Sequence, residues 1–150
     1  MHFKFYQEKK LVKGGWQFMT IVYIGNVGYP DTASSIHVRN RGIFMKTFGH
    51  EVHVLCELAS DGKRMEEVDE LTYQYMDPYP GQGKIRGAYW NLDQVFGKFY
   101  FKQTQKYIDK IKPDVVILYE PNSILYILKM LKLSKKEGFK LVIETTEWRN

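Results

Sequence analysis

A single cysteine, five prolines and no apolar run of membrane-spanning length set the first bounds on this chain of 150 residues. Cys56 has no second thiol to pair with inside the chain. It lies in a strand-like run and reads as a small buried apolar residue. A membrane span needs about 20 apolar residues in succession. The longest run here, "SILYILKMLKL", is broken by Lys129 and Lys132. The opening "MHFKFYQEKKLVKGG" lacks the continuous apolar core of a secretory leader, so the expected location is the cytoplasm.

Several catalytic signatures are missing as well. No G-x-S-x-G elbow is present, which disfavours serine-hydrolase chemistry. No D-x-D pair offers a metal to a sugar nucleotide. "HEVH" at 50–53 falls one residue short of H-E-x-x-H. On a strand its histidines point to opposite faces, so they read as turn and strand residues. "GQGKI" supplies Gly83 and Lys84, but Ile85 stands where a P-loop needs Ser or Thr, and no strand–loop–helix pattern surrounds it.

Net charge is +5, of which residues 1–18 carry +3 through Lys4, Lys9, Lys10 and Lys13 against Glu8. The remainder is mildly basic, which argues against a nucleic-acid binder. The first clean strand begins at Met19, so 1–18 reads as an upstream extension, Met19 as the natural start and 19–150 as the domain.

Within 19–150, apolar runs at 19–24, 51–56, 71–76, 114–119 and 141–146 are rich in Val, Ile, Tyr and Thr and predict strands. Helical patterns lie at about 35–48, 91–111 and 122–136, with Asn122 or Ser123 as a cap and Gly49 and Gly138 as helix ends. Residues 77–89, rich in Pro and Gly, read as a long connection. The alternation predicts an α/β, Rossmann-like parallel sheet of order 3-2-1-4-5 with helices on both faces. Ligands bind such sheets outside the carboxyl ends of the strands at the switch point. That brings the loop 25–35, residues 120–123 and residues 145–150 around one crevice.

The loop "GNVGYPDTASS" (25–35) holds Gly25 and Gly28 only, spaced G-x-x-G, which is short of a dinucleotide fingerprint. Asp31, Thr32, Ser34 and Ser35 suit either simple capping or the approach of an anionic group to a helix start. His37 reads as a packed or capping residue, or as a substrate contact. Arg39 and Arg41 read as solvated in preference to binding an anionic acceptor. Glu120 follows the fourth strand, and Glu144 and Glu147 bracket the end of the fifth. Carboxylates there bind sugar hydroxyls or move protons. The segment 90–112 mixes aromatics with Lys98, Lys102, Lys106, Lys110 and Lys112. It reads as an amphipathic helix burying Val95, Phe99 and Tyr107, or as a basic face for anionic lipid.

The stretch "IVYIGNVGYPDTASSIHVRNRGIFMKTFGHEVHVL" (21–55) resembles the opening of a family-4 glycosyltransferase, most of all in "FGHEVHVL". "KPDVVILYEP" and "KLVIETTEW" are similar to that family's fourth and fifth strands. The resemblance implies one half of a GT-B architecture: the acceptor-side domain of a retaining, metal-independent enzyme. Such an enzyme moves sugar from a UDP- or GDP-sugar to a glycan or lipid-linked acceptor. Ala33 and Ser34 stand where the family often has a Gly-Gly pair near donor phosphates, so the resemblance implies a cleft loop of Gly25, Gly28, Asp31, Ala33, Ser34 and Ser35. It implies acceptor or sugar contacts at His37, Arg41, Glu120, Asn122 and Glu147. Glu120 stands where the family often has histidine.

The family's C-terminal donor domain, with its E-x7-E motif, is absent from these residues. The expectation is a truncated domain that is inactive alone and needs that half or a partner subunit. It carries no covalent cofactor and binds no nucleic acid, and its expected place is the cytoplasm, either free or peripheral at the inner face of the cell membrane. Two further readings share the architecture. One is a non-catalytic module binding a glycan or a partner. The other is an NAD(P)-dependent oxidoreductase, against which the missing glycines count.

Overall fold

The computed structural model describes residues 18–25, 33–56, 64–121 and 123–145. Gly28, Asp31, Asn122 and Glu147, like residues 1–17 of the expected 1–18 extension, lie outside the described residues. The elements run β1 (Thr20–Gly25), α1 (Ala33–Thr47), β2 (Glu51–Cys56), β3 (Met65–Val68), β4 (Leu71–Tyr75), α2 (Gly83–Phe96), α3 (Lys98–Ile111), β5 (Val115–Tyr119), α4 (Ile124–Glu137) and β6 (Lys140–Glu144).

The sheet order is β3-β4-β2-β1-β5-β6. Its five parallel strands keep the expected 3-2-1-4-5 order. The difference is β3, an antiparallel sixth strand at the edge beyond β4. Its sequence, "MEEV", carries too much charge to read as a strand, but charge suits an edge exposed to water. The hairpin turns through Asp69 and Glu70, both at positive φ (49° and 65°), as two-residue hairpin turns require. α1 holds that turn through Arg39 Nε to Asp69 Oδ2 at 3.3 Å and Lys46 Nζ to Glu70 Oε2 at 3.8 Å.

Alternation along the strands divides the core in two. Ile21, Tyr23, Val54, Tyr73 and Ile117 face α1 and its Val38. Val22, Ile24, Val116 and Leu118 face the other way, onto Ile108 of α3 and Met130 and Leu133 of α4. The helices thus cover both faces, as a mostly parallel sheet demands.

Three expectations are corrected. Residues 83–89, read as loop, begin α2. The single helix expected over 91–111 is broken at Gly97, whose φ is 53°. A Cβ there would lie 2.7 Å from Tyr126 Cβ, so the joint needs glycine both for its backbone and for its closeness to α4. Val95, expected inside, is 60% exposed. Gly49 and Gly138 do end their helices, at φ of 85° and 84°. Ser123 caps α4, its hydroxyl accepting from Tyr126 N–H at 3.3 Å.

Candidate functional site

At the carboxyl edge, β1 ends in Gly25, β5 in Tyr119 and β6 in Glu144. α1 and α4 pack on opposite faces, so β1 and β5 form the switch point of the sheet. Gly25 owes its identity to that junction. A Cβ on it would lie 2.0 Å from the Tyr119 carbonyl oxygen. Its own carbonyl accepts from the Tyr100 hydroxyl at 2.8 Å. Glu120 turns the chain out of β5 at φ 46°, and its N–H donates to the Glu144 carbonyl at 2.9 Å. Gly25, Glu120 and Ser123 line a small pocket here.

On the α1 side, one carboxylate gathers two bases. Glu144 Oε1 lies 2.9 Å from His37 Nε2 and 2.6 Å from Arg41. His37 also leans on Tyr119, with ring centroids 5.6 Å apart. Arg39 and Arg41, read as solvated, are both paired with carboxylates. Glu144 was visible in the sequence only as a strand-end acid. Its pairing with α1 depends on β6 lying beyond β5, 103 residues from Arg41 in the chain. The i, i+4 spacing of His37 and Arg41 was the available signal. Burial pushes the Tyr23 hydroxyl on this face up to about 12; Glu144 adds to the rise and Arg41 opposes it. Ser35 is fully buried in the first turn of α1.

On the opposite side, an open cleft of about 550 Å³ runs between the loop after β4, α2 and α3. Asp77 and Tyr79 line it from the loop, Arg86 and Trp90 from α2, and Phe99 and Tyr100 from α3. Tyr79 and Phe99 pack with ring centroids 4.7 Å apart. Asp93, buried, fixes this arrangement. It accepts from Phe99 N–H at 2.7 Å and Tyr100 N–H at 2.8 Å, and from the Tyr79 hydroxyl at 3.2 Å. A carboxylate from the end of α2 thus satisfies the open amides at the start of α3. The result is an aromatic floor with a cation, Arg86, and an acid, Asp77, at its margin. Such a cleft suits a ligand with flat apolar faces and polar edges.

This cleft was missed in the sequence because its wall was read as loop. The helical spacing of Arg86, Trp90 and Asp93 was the signal. Gly83 and Lys84 do sit in a strand–loop–helix setting, contrary to expectation, although Ile85 still leaves no Ser or Thr for a P-loop. Among the described residues no group of three or more His, Cys, Asp or Glu is placed to hold a metal ion.

No protein-family model matches the chain, and no curated protein matches it by sequence. It is similar in structure to the sucrose-phosphate synthase from Thermosynechococcus elongatus, with a TM-score of 0.54 and 10% identity. The match covers 83% of this chain and 32% of that one. At that identity the likeness is one of fold. The chain has a glycosyltransferase-like α/β fold and spans about a third of the length of that structural relative.

Proposed function

We propose that this domain is the acceptor-side half of a family-4, GT-B-type glycosyltransferase. The cleft lined by Tyr79, Trp90 and Phe99 carries the reading, because it lies at the carboxyl edge of a sheet of this fold. Sugar rings stack on aromatic faces while their hydroxyls meet Asp77 and Arg86. In this account the acceptor is a glycan or lipid-linked glycan, and a UDP- or GDP-sugar arrives from a second domain or subunit. His37 and Arg41, held by Glu144 on the other side of the same edge, contact the acceptor or the sugar in this account. Transfer is retaining and needs no metal, by resemblance to the family.

One wall of a cleft does not hold two substrates in register, and that positioning is a main source of rate in such chemistry. The isolated chain should therefore retain glycan on an oligosaccharide array and transfer no sugar from any UDP- or GDP-sugar. Trp90→Ala should abolish the retention. Turnover by the isolated chain would contradict the one-wall account, and an array without signal would remove the acceptor reading. NAD(H) fluorescence titration should show no binding; saturable binding would favour an oxidoreductase.

A further inference from the structure

The two charged side chains at the margin of the cleft are not equivalent. Asp77 is already engaged by α3. Its Oδ2 accepts from Gln103 Nε2 at 3.4 Å and lies 3.8 Å from Lys106 Nζ. The ammonium offsets the charge of the carboxylate, and Oδ1 is left to meet a sugar hydroxyl. Arg86 has no carboxylate partner among the described residues. Its Nε donates to the Gly81 carbonyl at 3.1 Å. That bond holds one edge of the guanidinium and leaves Nη1 and Nη2, side by side, for a ligand.

The space around Arg86 is open. Gly83 and Gly87 line the cleft before and after it, and a Cβ on either would meet nothing within 4 Å. The wall of α2 beside the guanidinium is therefore bare backbone, facing a floor of Tyr79, Trp90 and Phe99.

The charge of the walls points the same way. Between residues 77 and 106 the chain carries Lys84, Arg86, Lys98, Lys102 and Lys106 against the acids Asp77 and Asp93. Asp93 is buried and taken up by the Phe99 and Tyr100 amides and the Tyr79 hydroxyl. No acid stands in the first turn of α2. A neutral sugar makes little use of an unpaired guanidinium in such a field. A carboxylate or phosphate does, through two parallel N–H···O bonds that are each about twice as strong as neutral ones.

We propose that the cleft takes an acidic acceptor, a sugar whose ring stacks on the aromatic floor while Arg86 grips its anionic substituent end-on. The shared chemistry is an oxyanion with two free oxygens, carried either by a uronic acid or by a sugar phosphate. Lys84 and Lys106 add to the attracting field without touching the sugar. This rests on the glycan reading of the cleft and narrows its substrate class.

The test is binding of the full chain to matched oligosaccharides: a neutral parent, its form oxidised at C6 to the carboxylate, and its form phosphorylated at O6. An acidic form should bind at least about tenfold more tightly than its parent at low salt. The advantage should shrink at about 0.5 M salt. Whichever acidic form gains more identifies the source of the anion. Arg86→Gln should remove the advantage and keep the binding of the neutral parent. Arg86→Lys should restore only part of it, because lysine keeps the charge without the fork. Lys106→Gln, which uncovers the charge of Asp77, should reduce it too. Trp90→Ala should lose all three forms. Equal binding of neutral and acidic forms would overturn this inference and leave the glycan reading standing. An advantage that survives in Arg86→Gln would overturn it as well. Binding of no oligosaccharide, neutral or acidic, would overturn both.

Discussion

Single polar groups carry much of the arrangement at the edge of the sheet. Asp93 organises the cleft by capping a neighbouring helix, and Glu144 ties β6 to α1 through His37 and Arg41. Tyr73 shows the opposite condition. Its ring is fully buried, and its hydroxyl finds no hydrogen-bond partner among the described residues. Burial pushes Tyr73 and Tyr23 up to about 12, and raises Tyr107 and Tyr126 as well. In the unfolded chain a tyrosine releases its proton near about pH 10. Above that pH the unfolded state binds fewer protons than the folded one, so the stabilising contribution is intact below about pH 10 and lost as pH rises toward about 12. The urea midpoint should fall across that window. Tyr73→Phe should flatten part of the fall and raise stability by about 1 kcal/mol, because a buried hydroxyl without a partner costs that much. A midpoint level across the window, or a Tyr73→Phe variant that is weaker, would contradict this. These residues were not legible as a group. The sequence shows aromatic strands, but which tyrosines are sealed depends on the helices that cover them.

The parallel strands and the first and last helices were legible because their signals are local. Continuous apolar runs such as "VVIL", a serine before α4 and glycines at the helix ends each act within a few residues. What was hidden lay where local and distant effects disagree. α2 contains Gly83 and Gly87 and follows Pro78, Pro80 and Gly81, all of which read as loop. The helix is stabilised through contacts at its far end, where Asp93, Val95 and Phe96 meet α3 and α4. β3 was hidden by its charge and exists because the turn at Asp69 and Glu70 folds it onto β4. Gly97 joins α2 to α3 and is the point at which both depend on α4. Gly97→Ala should cost about 1–3 kcal/mol, from the left-handed backbone and the contact with Tyr126 together. It should also enlarge the exposure of Trp90 in fluorescence quenching. An Ala variant with native stability and native quenching would show that the joint has slack.

Across the whole domain, the two faces of the sheet converge on one edge. α1 brings a histidine and an arginine to a strand-end carboxylate on one side, and α2 and α3 bring an aromatic cleft on the other. Gly25 and Glu120 sit between them. The junction of Gly25 with Glu120 was legible at this level, since strand order puts the ends of β1 and β5 side by side. Its working surface was not, because the cleft is built from a helix that the sequence disguises. The most direct measurement is amide chemical-shift mapping of the full chain titrated with the oligosaccharides that bind on the array. The account predicts saturable shifts gathered on Tyr79, Arg86, Trp90 and Phe99, and their loss in Trp90→Ala. Shifts gathered instead on the β3–β4 hairpin, or no saturable shift with any oligosaccharide, would contradict it.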